Sequence, residues 1–112
     1  MKIEKRERSG VTILDLEGKI TIGKGDVALR EAVQQALADG ATKLLIHLEK
    51  VTTIDSSGVG ELVSAYTTAT NRGVKLKLVN LPDKVSDILQ VTQLITVFDT
   101  YDSEDDAVAA FA

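Results

Sequence analysis

The sequence predicts an α/β fold in which a mixed β-sheet of about four to five strands packs with about four helices. The chain opens with two strand patterns, and helical and strand patterns then alternate along the rest of it. Such alternation is typical of parallel strands joined by helical crossovers. A length of 112 residues with 44% apolar residues suits a single domain, 1–112, with one hydrophobic core.

The first two strands are predicted to form a hairpin. Ser9-Gly10 separates the charged run 3–8 from the apolar run 11–17, and such a pair is a two-residue turn signal. The charged run has the composition of an edge strand, whereas the β-branched second run suits the interior of a sheet. The glycine-rich segment 19–25 is predicted to be a connector.

A helix and a buried strand are predicted next. Asp26 is expected to be the N-cap, because a carboxylate accepts hydrogen bonds from the free N–H groups of a first turn. Apolar residues at helical spacing continue to Leu37, and Gly40 is placed to end the helix in a left-handed turn. The short apolar run 43–48 then indicates a buried parallel strand.

The second half of the chain continues the alternation. Apolar residues keep helical spacing over 59–69, and residues 75–79 alternate as a half-exposed strand does. Pro82 predicts the start of another helix, since its missing N–H costs nothing there. The remaining predicted elements are a packed loop at 91–95, a short strand at 96–101 and a terminal helix capped by Ser103.

Composition argues against several classes of function. The chain has no cysteine, and its one histidine, His47, has no second ligand type nearby, so no metal site is predicted. A formal net charge of −4 argues against direct nucleic-acid binding. No stretch is long and apolar enough for a membrane span, and Met1–Arg6 lacks the core of a signal peptide. We therefore expect a cytoplasmic protein with no membrane partner.

No catalytic residue and no cofactor are predicted. Gly23–Asp26 is too short for the phosphate loop of a nucleotide hydrolase. Ser56 has an acid beside it, but His47 is the only imidazole in the chain, which disfavours nucleophilic catalysis. The acids between Asp99 and Asp106 are interpreted as a solvated surface at a helix start. We expect a protein that is not an enzyme.

The most informative feature is the run Thr53-Ile54-Asp55-Ser56-Ser57-Gly58-Val59-Gly60, which predicts a junction between a strand and a helix. The first turn of a helix has unpaired N–H groups and a partial positive charge, so it stabilises a phosphate, including one on a serine. A simpler interpretation is that Ser56 or Ser57 only caps the helix, which contributes about 1 kcal/mol. Asp55 either supports partner docking or is an ordinary turn acid.

With this motif in place, the chain resembles a STAS domain, specifically a bacterial anti-sigma-factor antagonist. The similarity extends along essentially the whole sequence. The segments that resemble the family outside the motif are Leu16–Ile20 before the first helix, Leu29–Val33 within it, Leu44–Leu48 before the motif, and Gly73–Asn80 in the next strand.

The resemblance implies a phosphorylation switch. In this family a serine kinase, itself the anti-sigma factor or a relative of it, phosphorylates the serine directly after the aspartate. Here that serine is Ser56, and Ser57 is less favoured. The unphosphorylated protein binds the kinase and so releases a sigma factor, and a phosphatase resets the switch. The implied partner-binding residues are Asp55, Ser57, Gly58, Val59, Gly60 and Thr21. We expect a monomer or a weak dimer.

One segment departs from the family pattern. Many antagonists of this type have a Gly-Glu-(Ile/Leu)-Asp sequence after the second strand, whereas this chain has Gly18-Lys19-Ile20-Thr21, which replaces both acids. In the family this segment borders the phosphorylation site and the partner surface. A second hypothesis therefore stays open: a STAS scaffold subunit of a larger signalling complex, acting without a switch at Ser56.

Overall fold

Five strands form one mixed sheet, and their order across the sheet is the same as their order along the chain. The computed structural model describes residues 1–112. The strands are β1 Lys2–Arg8, β2 Val11–Ile20, β3 Lys43–Ile54, β4 Lys75–Val79 and β5 Thr100–Tyr101. β1 is antiparallel to β2, and every other neighbouring pair is parallel. The predicted α/β class with a mixed sheet is confirmed.

Four α-helices complete the fold, as predicted. They are α1 Gly25–Ala38, α2 Ser56–Asn71, α3 Asp83–Val91 and α4 Glu104–Ala110, and a short 3-10 helix covers Leu94–Thr96. The first three helices each connect neighbouring parallel strands, and such crossovers share one hand, so these helices cover one face of the sheet. No helix is both long enough and apolar enough to cross a membrane.

Alternation along the strands divides the buried residues between the two faces. A core cluster of 21 residues lies under α1, α2 and α3 and includes Leu14, Leu44 and Ile46. A smaller cluster of 6 residues lies on the opposite face, where Ala107 from α4 and Phe111, which directly follows α4, pack against the sheet. The two faces are therefore unequal in apolar content.

The predicted hairpin is confirmed. Arg8 pairs with Val11, which leaves Ser9 and Gly10 as the two turn residues. Both have positive φ, 53° and 80°, the conformation that matches the twist of two paired strands. The turn therefore fixes the register of the hairpin.

The two central strands are longer than the sequence predicts. β2 extends to Ile20 and β3 to Ile54, because the strands stay paired there as Lys19↔Thr53 and Ile20↔Ile54. The prediction that the connector begins at Lys19 is therefore wrong. Register shifts within this pairing interrupt the simple alternation that the prediction relied on. The extension places the end of β2 directly beside the Thr53–Gly60 run.

Asp26 is not the N-cap that the sequence predicts. The helix begins two residues earlier than that cap would place it, at Gly25, and is preceded by Lys24, whose side chain makes no capping hydrogen bond. Asp26 lies inside the first turn, is 8% exposed, and its Oδ1 accepts a hydrogen bond of 2.8 Å from the N–H of Val27. The first residue of α1 must be a glycine, because a Cβ on residue 25 would collide with the Lys19 carbonyl oxygen.

The predicted strand over 96–101 is reduced to its last two residues. Leu94–Thr96 forms a 3-10 helix where a packed loop and the start of a strand were expected. Pairing with β4 is limited to Leu78↔Thr100 and Val79↔Tyr101. The first three residues of β4 therefore have no partner on this side, because the chain before Thr100 does not continue as a strand.

Ion pairs fasten α4 to the first strand. Arg6 and Arg8 both contact the carboxylate of Glu104, which lies in the first turn of α4. Arg6 also pairs with Asp15 at 2.6 Å, and Arg8 pairs with Asp105 at 2.5 Å. Hydrogen bonds from Arg6, followed by those from Arg8, lower the pKa of Glu104 to about 2, although its partial burial opposes the shift.

This pairing predicts an acid-dependent contribution to stability. Because the folded pKa of Glu104 lies below its ordinary 4.5, the pair stabilises the fold fully above that pH and loses its effect as pH falls towards about 2. We expect Glu104→Gln to lower the free energy of unfolding at about pH 6. At about pH 3 the variant and wild type should differ less in this free energy, because the pair is then partly lost in wild type. Urea titrations of both proteins measure this. If the free energies of unfolding of the two proteins differed by the same amount at both pH values, the stabilising role of ionised Glu104 would be contradicted.

Candidate functional site

Ser56 lies at the edge of the sheet where the parallel strands end and the next helices begin. It is the first residue of α2, immediately after β3, and its side chain is exposed, whereas Ser57 is half-buried. In open α/β sheets this edge is where ligands and partners usually bind. Of the two serines, Ser56 is the more accessible to a modifying enzyme.

Asp55 caps helix α2. Its backbone is extended, and its Oδ1 accepts a hydrogen bond of 2.9 Å from the N–H of Gly58. The interpretation of Ser56 or Ser57 as the N-cap is therefore wrong, because the acid before them takes that position. Both serines lie inside the first helical turn.

The second oxygen of Asp55 connects α2 to the segment before α1. Oδ2 accepts a hydrogen bond of 2.9 Å from the N–H of Ile22. The bonds from Gly58, and after it Ile22, hold the pKa of Asp55 below its ordinary range, because both favour the charged carboxylate. One carboxylate therefore joins the residue before Ser56 to the segment between β2 and α1, which we call the connector, residues 21–24.

Gly58 is required by close packing. A Cβ at this position would collide with the carbonyl oxygen of Ile20 and would lie 2.8 Å from Cγ1 of Ile54. The N–H of Asp55 donates to the same Ile20 carbonyl at 3.4 Å. The N-terminus of α2 thus rests directly on the end of β2, which explains why residue 58 is a glycine.

Gly60 has no such steric role. A Cβ there would meet nothing within 4 Å, the residue is exposed, and its φ is not in the left-handed region. A glycine inside a helix costs about 0.5–1 kcal/mol relative to alanine. Gly60 lies one turn after Ser56, so its missing side chain leaves bare backbone beside the serine.

The remaining predicted partner-binding residues differ in accessibility. Thr21 is half-buried, and its carbonyl accepts a hydrogen bond of 3.1 Å from the N–H of Asp26. Val59 is 5% exposed and belongs to the large core cluster. Val59 and the buried Gly58 therefore shape the site from inside, while Asp55, Ser57 and Gly60 reach its surface.

Sequence reasoning missed Ile22, which is 74% exposed in the connector. Its neighbours are glycine and threonine, and an apolar residue in such a segment gives no signal of its exposure. Lys19 and Lys24 beside it are also exposed, and neither takes part in a salt bridge. The connector and its neighbour Lys19 therefore expose one large apolar side chain and two unpaired cations.

The two helices that flank the site are joined by an ion pair. Nε and Nη2 of Arg30 in α1 donate to Oε1 of Glu61 in α2 at 3.0 and 2.7 Å. Glu61 is mostly buried by this contact. The pair lies one turn after Ser57 and holds α1 against α2.

Asp15, His47 and Glu104 form a cluster whose ligand atoms all lie within 4.8 Å of one another. The guanidinium of Arg6 contacts both carboxylates and takes the place that a metal cation would need. The His47 Nε2 lies 3.9 Å from Oε1 of Glu104 and 3.5 Å from Nδ2 of Asn80. We interpret the group as an ion-pair cluster that supports α4.

The chain is similar in sequence and in fold to several known proteins. A family model described as the STAS domain matches residues 2–107. An anti-sigma F factor antagonist of Paenibacillus polymyxa is 23% identical over 96% of this chain and 92% of its own. The crystal structure of an anti-sigma factor antagonist from Mycobacterium paratuberculosis superposes with a TM-score of 0.84 at 24% identity, covering 97% of this chain and 92% of that one. The Bacillus cell fate determinant SpoIIAA in its phosphorylated form has a TM-score of 0.75 at 18% identity, covering 99% and 100%.

The two motif glycines should respond oppositely to alanine. Gly58→Ala should lower the free energy of unfolding by about 1–3 kcal/mol, because the new Cβ displaces the end of β2. Gly60→Ala should raise it by about 0.5–1 kcal/mol, because only helix propensity changes. Urea unfolding of both variants against wild type measures the two effects. Destabilisation by Gly60→Ala would show that its surroundings are not open.

Proposed function

Because the chain belongs to the STAS domain family, we propose that it acts as an anti-sigma-factor antagonist controlled by phosphorylation. When unphosphorylated, it binds a serine kinase that is the anti-sigma factor and so releases a sigma factor. Phosphorylation at Ser56 ends that binding. The protein is a binding partner and a kinase substrate, with no catalytic residue of its own.

The observation that carries the proposal is the position of Ser56. It is exposed at the first position of α2, and Asp55 rather than the serine provides the cap. The hydroxyl is therefore not needed to hold the fold together. A kinase can modify it without removing a capping interaction, which is what a reversible switch requires.

The chemistry of the switch involves the kinase and its nucleotide. The Oγ of Ser56 attacks the γ-phosphorus of ATP, ADP leaves, and the hydroxyl proton passes to a base of the kinase. ATP and magnesium therefore belong to the kinase, and a phosphatase removes the phosphate by hydrolysis. The free N–H groups and partial positive charge of the first helical turn tolerate the new anion, so α2 keeps its structure.

Charge accounts for the loss of binding. A phosphoserine carries about −1.5 to −2 charges at neutral pH. At roughly 6 Å from a partner carboxylate at a surface, it costs on the order of 1–3 kcal/mol. Since about 1.4 kcal/mol changes affinity tenfold, this repulsion and the added bulk are sufficient to separate the complex. Reversible binding of this kind suits a protein that works as a monomer or weak dimer.

We expect phosphate to be incorporated at one serine. Each anti-sigma-type serine kinase encoded in the native genome is incubated with ATP and wild type, Ser56→Ala or Ser57→Ala. Peptide mass spectrometry should find one phosphate on wild type and on Ser57→Ala, and none on Ser56→Ala. Phosphate that persists on Ser56→Ala would move the site to Ser57 or elsewhere.

Ser56→Asp should weaken kinase binding, whereas Ser56→Ala should retain it, because only the aspartate adds negative charge at the site. Titration calorimetry with the purified kinase measures both affinities. Equal binding by the two variants would show that charge at residue 56 does not control the complex. Stable assembly that is indifferent to every change at Ser56 would favour the scaffold hypothesis.

A further inference from the structure

Strand β1 forms an open edge of the sheet, because it pairs only with β2. The two residues that flank the hairpin turn exchange hydrogen bonds with each other, and so does every second pair from there. Ile3, Lys5 and Glu7 lie between these bonded pairs, so their backbone N–H and C=O groups point to the free edge. None of them makes a backbone hydrogen bond outside the hairpin.

The charges of β1 decide which strands can add to this edge. Charged side chains on an edge strand commonly prevent it from pairing with another chain. In β1 the positive and negative residues are mixed, and Ile3 is the only uncharged residue between Lys2 and Arg8. Whether β1 repels another strand therefore depends on the register in which that strand lies.

Symmetry restricts the registers in which two copies of β1 can pair. Two identical edges join antiparallel about a two-fold axis perpendicular to the sheet, so each residue meets one from the same face. The axis then passes at one residue, and that residue lies opposite its own copy. Any charged residue on the axis faces a like charge, which is destabilising. Ile3 is the only residue of β1 that avoids this.

The register centred on Ile3 also pairs the neighbouring charges favourably. Lys2 lies opposite the partner's Glu4, and Glu4 lies opposite the partner's Lys2. Both side chains are well exposed and already form a salt bridge of 3.1 Å with each other in one chain, so they can reach the same face of a partner. Lys5 lies opposite the partner's Met1, and its charge is held by Asp39 at 3.1 Å. No pair in this register joins like charges.

An apolar groove lies beside the same part of the edge, on the face of the sheet that α1 covers. It has a volume of about 420 Å³, and its apolar lining comes from Met1, Ile3, Leu14, Ala28, Ala32 and Ala36. Ile3 is half-buried against the large core cluster, and Met1 is 37% exposed. Pairing about Ile3 brings two such grooves side by side across the axis, so each copy covers apolar surface of the other.

We infer that two copies of this chain pair antiparallel through β1, with Ile3 opposite the partner's Ile3, and join their five-stranded sheets into one continuous sheet. The contact involves about five residues of each edge, two complementary charge pairs and two small grooves. The dimer is therefore weak and depends on concentration. The inference is independent of the proposed function, because β2 separates β1 from β3 and from the junction at Ser56.

Single cysteines read the register directly, because the chain has none of its own. Ile3→Cys, Lys5→Cys and Glu7→Cys all lie on the free edge and on one face, but only the first places its two copies across the axis. Their Cα atoms would be about 5.5 Å apart, which a disulfide can span. The two copies of residue 5 would be roughly 13 Å or more apart.

Mild oxidation followed by non-reducing electrophoresis should convert Ile3→Cys to a covalent dimer and leave the other two variants largely monomeric. Cross-linking of Lys5→Cys or Glu7→Cys in its place would overturn the register. Equal cross-linking of all three, or none in any, would overturn the contact itself. Urea unfolding of the reduced variants checks that each is folded.

The charge pairs are tested without cysteines by sedimentation equilibrium over a range of protein concentrations. Lys2→Glu should raise the dimer Kd about tenfold, because it turns two complementary pairs into two like-charge pairs. A double variant with Lys2→Glu and Glu4→Lys should restore the dimer to near wild type. Glu7→Lys, an exposed charge reversal outside the paired segment, should leave the Kd unchanged.

Two results of the sedimentation experiment would count against the dimer. Wild type that stays monomeric up to about 1 mM would overturn the inference. Equal effects of Lys2→Glu and Glu7→Lys, or no recovery in the double variant, would overturn the register centred on Ile3. Weakening by Lys2→Glu that the second change reverses supports the register.

Discussion

The packing of two helix starts against the end of β2 is the constraint on which the rest of the site depends. Gly25 and Gly58 each lie so close to the Lys19–Ile20 backbone that a Cβ would collide with a carbonyl oxygen. The absence of both side chains allows α1 and α2 to begin side by side. Asp55 then spans the gap, with one oxygen on α2 and the other on the connector. Because Asp55 occupies the capping position, Ser56 lies inside the first turn of α2 with no capping task.

In the proposed switch, separate groups perform the structural and regulatory tasks at this junction. The collision at Gly58 and the two hydrogen bonds of Asp55 concern the shape of the backbone. The exposed Ser56 hydroxyl has no capping task. A phosphate added to that hydroxyl changes the charge of the surface and leaves the contacts beneath it in place. A switch built in this way acts through the partner's electrostatics, and it needs no rearrangement of the sheet or of α2.

Much of the fold could be predicted because the informative patterns are local. The Ser9-Gly10 turn and the alternation of helical and strand periods depend on residues adjacent in sequence. The ends of β2 and β3 could not be predicted, since register shifts between Asp15 and Lys19 break the alternation while the pairing continues to Ile20 and Ile54. The exposure of Ile22 was equally hidden. Its backbone N–H donates a hydrogen bond to Asp55, 33 residues away, and no local pattern indicates such a contact.

The unequal cores on the two faces of the sheet give the molecule two levels of local stability. The face beneath α1, α2 and α3 buries a cluster of 21 residues, whereas α4 is held by a cluster of 6 and by surface ion pairs. Opening of α4 therefore exposes little apolar area and leaves the larger cluster intact. Amide hydrogens of α4 should exchange with solvent through such partial openings, while those of α2 exchange only when the main core opens. Helix α4 can open locally while α2 and the surface around Ser56 stay in place.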